Sequence, residues 1–419
     1  MKKLLTVFVA ILLTAALITG CGSTSTPSAP TGSSPGTSST STQSQKPSDS
    51  AEKIELTVWE STGGPDEFIQ KAGEEFTKLH PNITIKYVNV ELGDSSGKIA
   101  LDGPAGVGPD VFAAPHDKIG ELVSGGHIEE VSNPDYVKQN ALGACIQAVT
   151  YEGKIVGYPV SAETYALFYN KALISESEVP ATWEGVVEFA KKFNSGDRYG
   201  FMMDVGNGYY TILFTTANGN RLFGPTGTDT TKTYLNTPDA VNGIKFFQSM
   251  KSILNVPAAD LTTSICDEAF KAGKVAMYIT GPWNIKPFKD AGVDFGVAPL
   301  PSLPGQSEPA SSFSGTRTMF VSAYSNHPEE AAMFAEFLMS PEMQKLRFDI
   351  TEALPATDIE VDSPYVRAFT KQLDYAFPMP SIPEMSNFWN AMNSASANIW
   401  DGADVQSELD ACDRAILGN

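Results

Sequence analysis

The sequence predicts an α/β fold in two domains, preceded by a segment that belongs to neither. Three observations carry this. Along the chain, apolar residues switch between a period of two and a period near 3.6, the mark of β-α-β units around a largely parallel sheet. About 370 residues follow residue 51, more than one core usually organises. Composition breaks abruptly at Cys21 and again near Ala51.

The N-terminal segment comes first. Lys2 and Lys3 precede 15 nearly unbroken apolar residues, Leu4 to Ile18. That run is short for a membrane span of about 20 residues and suits a signal peptide over residues 1–20. It ends in Ile18-Thr19-Gly20-Cys21, which resembles a lipobox, with Cys21 as the lipid acceptor. A diacylglycerol thioether plus an N-acyl chain suffices for stable anchoring, so attachment to the outer face of the cell membrane is expected. Residues 22–50 hold 17 Ser or Thr and almost no large apolar side chain. Residues 21–51 are therefore expected to be a disordered tether, since they cannot bury enough surface to offset chain entropy.

The globular part opens with strand Ile54–Trp59. Gly63-Gly64-Pro65 then starts a helix running to about His80, with Pro near its favoured first position. Ile83–Val90 is a second strand, Val111 and Phe112 enter a third, and a helix follows from about Lys118. Tyr151–Pro159 reads as a hairpin turning at Glu152-Gly153, and Ala166–Asn170 as a strand. Thr182 caps a helix to Phe193. Pro238–Ile253 and Ser264–Ala272 are helical, then strand Val275–Ile279. Val293–Ala298 and Thr318–Ser322 are strands, His327–Met339 a helix, and the last 50 residues mostly helical.

Charge and motif content exclude much. The net charge is −20, or −22 without the two leader lysines, which argues against nucleic acid and anionic membrane surfaces as partners. Charged residues are only 19%, which favours neutral polar ligands. His80, His116, His127 and His327 lack metal-ligand spacing, so neither a metal nor a cofactor is expected. Cys145, Cys266 and Cys412 are widely spaced and read as buried free thiols. Gly93-Asp94-Ser95-Ser96-Gly97-Lys98-Ile99 lacks one spacer and the magnesium-binding hydroxyl of a P-loop. No nucleophile elbow occurs; 49 carboxylates leave a glycosidase pair open, although no motif points to one.

Five blocks then converge. They are Gly157-Tyr158-Pro159-Val160-Ser161-Ala162-Glu163 with its continuation to Lys171, Pro180-Ala181-Thr182-Trp183-Glu184, and Gly273 to Trp283. Phe295-Gly296-Val297-Ala298-Pro299-Leu300-Pro301 with Phe313-Ser314-Gly315 is the fourth, and Met379 to Trp389 the fifth. In this order they resemble the extracellular maltose/maltodextrin-binding proteins of ABC sugar importers. The resemblance implies a two-lobed periplasmic-binding-protein-like fold with a hinge and an interlobe ligand cleft. It implies lobe one at 52–161 plus 315–362 and lobe two at 164–312 plus 366–419. It also implies a monomer that is no enzyme, an oligosaccharide ligand and an ABC permease as partners.

A sugar ring has a C–H face that suits flat aromatic rings and a hydroxyl rim that suits charged groups. By the resemblance, Trp283, Trp389, Tyr209 and Tyr210 are the stacking residues. Glu163, Asp117 and Lys118 are the hydroxyl-gripping ones. For Glu163 the competing expectation is an ion pair at the lobe boundary, and for Asp117 a helix cap. Three positions depart from the family: Ala114 stands where members carry a stacking Trp, Asn393 near an Arg, and Gly63-Gly64 in place of an Asp-Lys pair. The exact sugar is therefore open between maltodextrins, cyclodextrins and other oligosaccharides. A surface glycosidase and a sensor or adhesin are the competing classes.

Overall fold

A computed structural model describes residues 52–418. The expected leader, lipidated Cys21 and tether lie outside the described residues. Among the described residues the strands are, in chain order, β1 (Ile54–Glu60), β2 (Ile83–Asn89), β3 (Val111–Pro115), β4 (Thr150–Tyr151), β5 (Lys154–Ile155), β6 (Tyr158–Thr164), β7 (Ala166–Asn170), β8 (Tyr199–Met202), β9 (Val275–Thr280), β10 (Phe295–Ala298), β11 (Phe313–Val321) and β12 (Phe377–Pro378).

Among the described residues three sheets result: a large one in each lobe and the small β4–β5 pair. The first runs β12-β11-β3-β1-β2, with β6 also on β11. Here β1 is parallel to β2 and β3, while β11 is antiparallel to β3 and β6. The second runs β10-β7-β9-β8, and only its β8–β9 pair is parallel. The expectation of largely parallel pairing is thus corrected to mixed sheets. In the first sheet the cause is the path of the chain, which returns from the second lobe as β11 and runs against β3 and β6; in the second, β7 runs against both β9 and β10 within one stretch of chain.

Helix Pro65–Leu79 shows how the first lobe forms. Pro65 takes the first turn, where its missing N–H costs nothing, and Asp66 and Glu67 complement the helix dipole. Phe68, Ile69, Ala72 and Phe76 form its buried face. Each large apolar side chain so buried contributes about 1.5–3 kcal/mol. Gly64, just before the helix, has φ 123°, a conformation that L side chains rarely adopt.

In the second lobe Trp183, at the start of helix Trp183–Phe193, is fully buried and meets Phe201 edge-on at 5.2 Å. Thr182 caps that helix by accepting from Gly185 N–H at 3.1 Å. Cys145, Cys266 and Cys412 are buried free thiols, as expected.

One residue, the wholly buried Tyr165, separates β6 in the first sheet from β7 in the second. The return passes through Ser312 into β11. Thr164 Oγ1 donates to the Phe313 carbonyl at 2.8 Å and pairs with Ser312 Oγ at 2.8 Å. Gln372 Nε2 donates to the same Ser312 Oγ at 3.0 Å. β12 then pairs with the first two residues of β11. The crossings are therefore tied to one another by side-chain and backbone hydrogen bonds.

Candidate functional site

Ligands of open α/β sheets bind outside the carboxyl ends of the strands. In the first lobe those ends are Glu60-Ser61 after β1 and His116-Asp117 after β3. Glu60 is buried and accepts from Ser61 N–H at 2.7 Å. Arg317, in the middle of β11, donates from Nη1 to Glu60 and to Ser61 Oγ, the latter at 3.0 Å. Its Nε donates to Glu163 at 3.3 Å. Burial alone would lower the Arg317 pKa, but Glu60 and Glu163 outweigh it and hold the group above its ordinary value.

His116 is buried and serves as a fixed link. The Thr316 N–H donates to Nδ1 at 3.1 Å, and Nε2 pairs with the Met379 carbonyl at 3.0 Å. This network assigns the neutral tautomer protonated on Nε2. Burial pushes its pKa below the ordinary 6.5, against the pull of Asp117 and Glu163.

Asp117 follows at once and is 3% exposed. Burial raises its carboxyl above the usual range, while His116, Lys118 and a hydrogen bond from Trp389 oppose the rise. That bond is Trp389 Nε1–H to Asp117 Oδ2 at 3.0 Å, and it joins the two lobes. Lys118 stands 3.7 Å from Glu121, whose other contact is Ser386 Oγ at 2.7 Å, again from the second lobe.

Opposite lies an aromatic surface. Trp283 follows Gly281-Pro282 at the end of β9, in a single 3-10 turn, and is partly buried. Its ring is 6.2 Å from Tyr209, which is 6.2 Å from Phe313. Phe313 is 6.3 Å from Trp389. In helix Met385–Trp400, Phe388 points into the core and Trp389 out of it, as their adjacent positions require. Glu163 and Asp117 both act on the Tyr209 hydroxyl, which burial first of all makes a weaker acid. So Trp283, Trp389, Tyr209, Glu163, Asp117 and Lys118 come together where the lobes face each other.

Tyr210 does not join them. It is 3% exposed and packs edge-on against Tyr165 at 5.3 Å, inside the second lobe. Of two adjacent aromatics on a short helix, only one can face outward, and Tyr209 does. Tyr210 is thus placed behind Tyr209 and not with the other six expected residues.

The departures also resolve. Ala114 is fully buried in an apolar cluster with Trp59 and Phe112. Asn393 accepts from Gly208 N–H at 2.7 Å and so holds the start of the Tyr209 helix. Sequence reasoning missed Glu60, Arg317 and Phe313. A lone Arg within the otherwise uncharged run Phe313–Val321 was the available signal. A cavity of about 600 Å³ lies beside this cluster, against His116, Tyr151, Arg221, Pro225 and Met379. None of the seven expected ligand residues lines it, although His116, the neighbour of Asp117, does.

Two α/β lobes, tied by adjacent crossings and facing each other with aromatics on one side and charged groups on the other, define a two-lobed binding protein. The chain belongs to the bacterial extracellular solute-binding protein family, whose model matches residues 59–345. It is 31% identical over 389 residues to the galactooligosaccharide-binding protein of Bacillus subtilis, covering 90% of this chain and 92% of that one. It is 30% identical over 367 residues to the maltooligosaccharide ABC transporter solute-binding lipoprotein of Streptococcus pneumoniae, covering 83% and 84%. Among solved structures, the Thermus thermophilus maltotriose-binding protein with maltotriose aligns at a TM-score of 0.79 and 29% identity, covering 87% of this chain and 99% of that one. A cyclo/maltodextrin-binding protein with maltotetraose aligns at 0.74 and 34%, covering 88% and 97%.

Proposed function

We propose that this chain binds a neutral oligosaccharide of the maltodextrin class between its lobes and delivers it to an ABC permease. The observation that carries the reading is the juxtaposition of Trp389, Tyr209 and Trp283 with Asp117 and Glu163. Rings for the sugar face and charged groups for its rim converge on one place. Lys118 adds a single charged donor, without the fork an Arg would bring. The relatives in pneumococcus and Thermus, named for maltooligosaccharide and maltotriose, support the sugar class. The lobe limits 52–161 plus 315–362 and 164–312 plus 366–419 are part of this reading. So are a monomeric state and anchoring to the cell membrane through lipid on Cys21.

Calorimetry against maltose, maltotriose, cyclodextrins, galactooligosaccharides, xylo- and cello-oligosaccharides tests it. Maltotriose should bind and remain intact after prolonged incubation. Release of glucose or maltose would move the chain to the glycosidases. A second reading, a galactooligosaccharide ligand, is favoured by the Bacillus subtilis relative, and preferential binding of that sugar would select it. For the anchor, Cys21→Ser should shed the protein into the medium or leave it unprocessed.

A further inference from the structure

Arg347 lies one turn before the end of helix Pro341–Thr351 in the first lobe. It is 3% exposed, and its Nε and Nη1 have no hydrogen-bond partner among the described residues. A guanidinium buried without partners is costly to retain. Its surroundings explain only part of its presence. Burial, and then Arg317, bring its pKa down to about 10, while Glu60 and Glu163 raise it, so it stays cationic at neutral pH. Its guanidinium carbon is 5.9 Å from the Phe68 ring centre. Arg317 already donates hydrogen bonds to Glu60 and Glu163. Arg347 therefore feels the field of the two carboxylates without bonding to them.

The charges of this cluster are two carboxylates and two guanidiniums, and they cancel. What remains unsatisfied is donor capacity, not charge. A ligand that matches it brings oxygen acceptors and no net charge, which describes sugar hydroxyls and not uronates. The cluster also sits at the carboxyl end of β1, the edge where ligands of such sheets bind.

We propose that Arg347 is a specificity-determining residue of the sugar site, its Nε and Nη1 donating to hydroxyl oxygens of a neutral oligosaccharide beside Glu163. This rests on the function proposed above. Opening of the lobes to admit sugar uncovers this wall, and on closure the fork geometry of the guanidinium suits two neighbouring hydroxyls.

The test measures maltotriose and its monodeoxy analogues by calorimetry, on wild type, Arg347→Met and Arg347→Lys. Arg347→Met keeps the length and removes the donors. It should bind maltotriose about 10- to 100-fold more weakly. Its thermal midpoint should hold or rise, because two unsatisfied buried donors are removed while Arg317 still pairs with both carboxylates. Arg347→Lys should fall between. At one or two hydroxyl positions, the deoxy analogue should lose affinity for wild type but not for Arg347→Met. A variant that matches wild type on maltotriose and on every analogue overturns the inference. So does a loss of equal size on every analogue, which marks a structural role. Should Arg347→Met fail to fold, Arg347→Lys carries the same comparison. Failure of wild type to bind any sugar in the panel refutes the functional reading itself, and this inference with it.

Discussion

Trp389 of the second lobe donates its indole N–H to the Asp117 carboxylate of the first, 3.0 Å away. A residue expected to stack on sugar and one expected to grip its hydroxyls thus satisfy each other. Sugar entering between them must replace this bond with its own, so the two side chains form the competitor that any ligand displaces.

Asp117 can be tested by two substitutions. Asp117→Ala leaves the Trp389 N–H unpaired and removes a charged partner for hydroxyls. Maltotriose binding should weaken by on the order of 1.5–3 kcal/mol. Asp117→Asn keeps an acceptor and should lose less. Equal losses in titration calorimetry would show that charge, and not the acceptor, is what counts.

Trp283 offers a sharper effect. It is partly buried, with its ring folded under Gly281, where an added Cβ would come within 2.1 Å of it. Truncating a central aromatic anchor commonly removes about 2 kcal/mol or more. Trp283→Ala should therefore weaken maltotriose binding roughly 30-fold and abolish most of the ligand-induced tryptophan quenching. Binding within twofold of wild type would refute the aromatic wall.

Gly120 lies in the short helix Ile119–Ser124, against the segment of the second lobe that runs into helix Met385–Trp400. A Cβ there would stand 2.3 Å from the Ser381 carbonyl oxygen and 2.9 Å from Pro383 N. Both obstacles are backbone, so they cannot turn aside. Gly120→Ala should hold the lobes apart at this point. Small-angle scattering with saturating maltotriose should report a larger radius of gyration than for wild type, together with weaker binding.

His116 sets a pH dependence. Its folded pKa lies below 6.5, so the unfolded chain takes up a proton that the folded one refuses. The stabilisation is complete above about pH 6.5 and is lost as pH falls below it. A proton on Nδ1 would also confront the Thr316 N–H, donor against donor. The thermal midpoint should drop between about pH 7 and pH 5, and His116→Asn should flatten that part of the profile. An identical slope in the variant would assign the effect to other groups.

Most elements were legible because their signals are local. Thr182 and Trp183 announce a capped, amphipathic helix, and Glu152-Gly153, at φ 49° and 81°, makes the expected tight turn between β4 and β5. β11 was legible only from Thr318. Its first half, Phe313-Ser314-Gly315-Thr316-Arg317, lacks alternation because that stretch is flanked on both edges and nearly all buried. The same concealment hid Arg317, whose role needs Glu60 from 257 residues earlier. Trp283 and Trp389 were legible through family blocks, Arg347 through nothing: its meaning comes from neighbours that only folding assembles. Tyr210 shows the converse, since a dipeptide of tyrosines does not say which ring faces out.

β11 has a consequence for the order in which the molecule can form. It is the central partner of β3 and β6, and Thr164 meets Ser312 across 148 residues of chain. Until residue 321 exists, the first sheet has an open seam down its middle, and a chain stopped at residue 312 would leave β3 and β6 with bare edges toward each other. Long-range closure of this kind is slow. The first sheet thus stays open until a strand near residue 320 has been made, whereas all four strands of the second sheet precede residue 300.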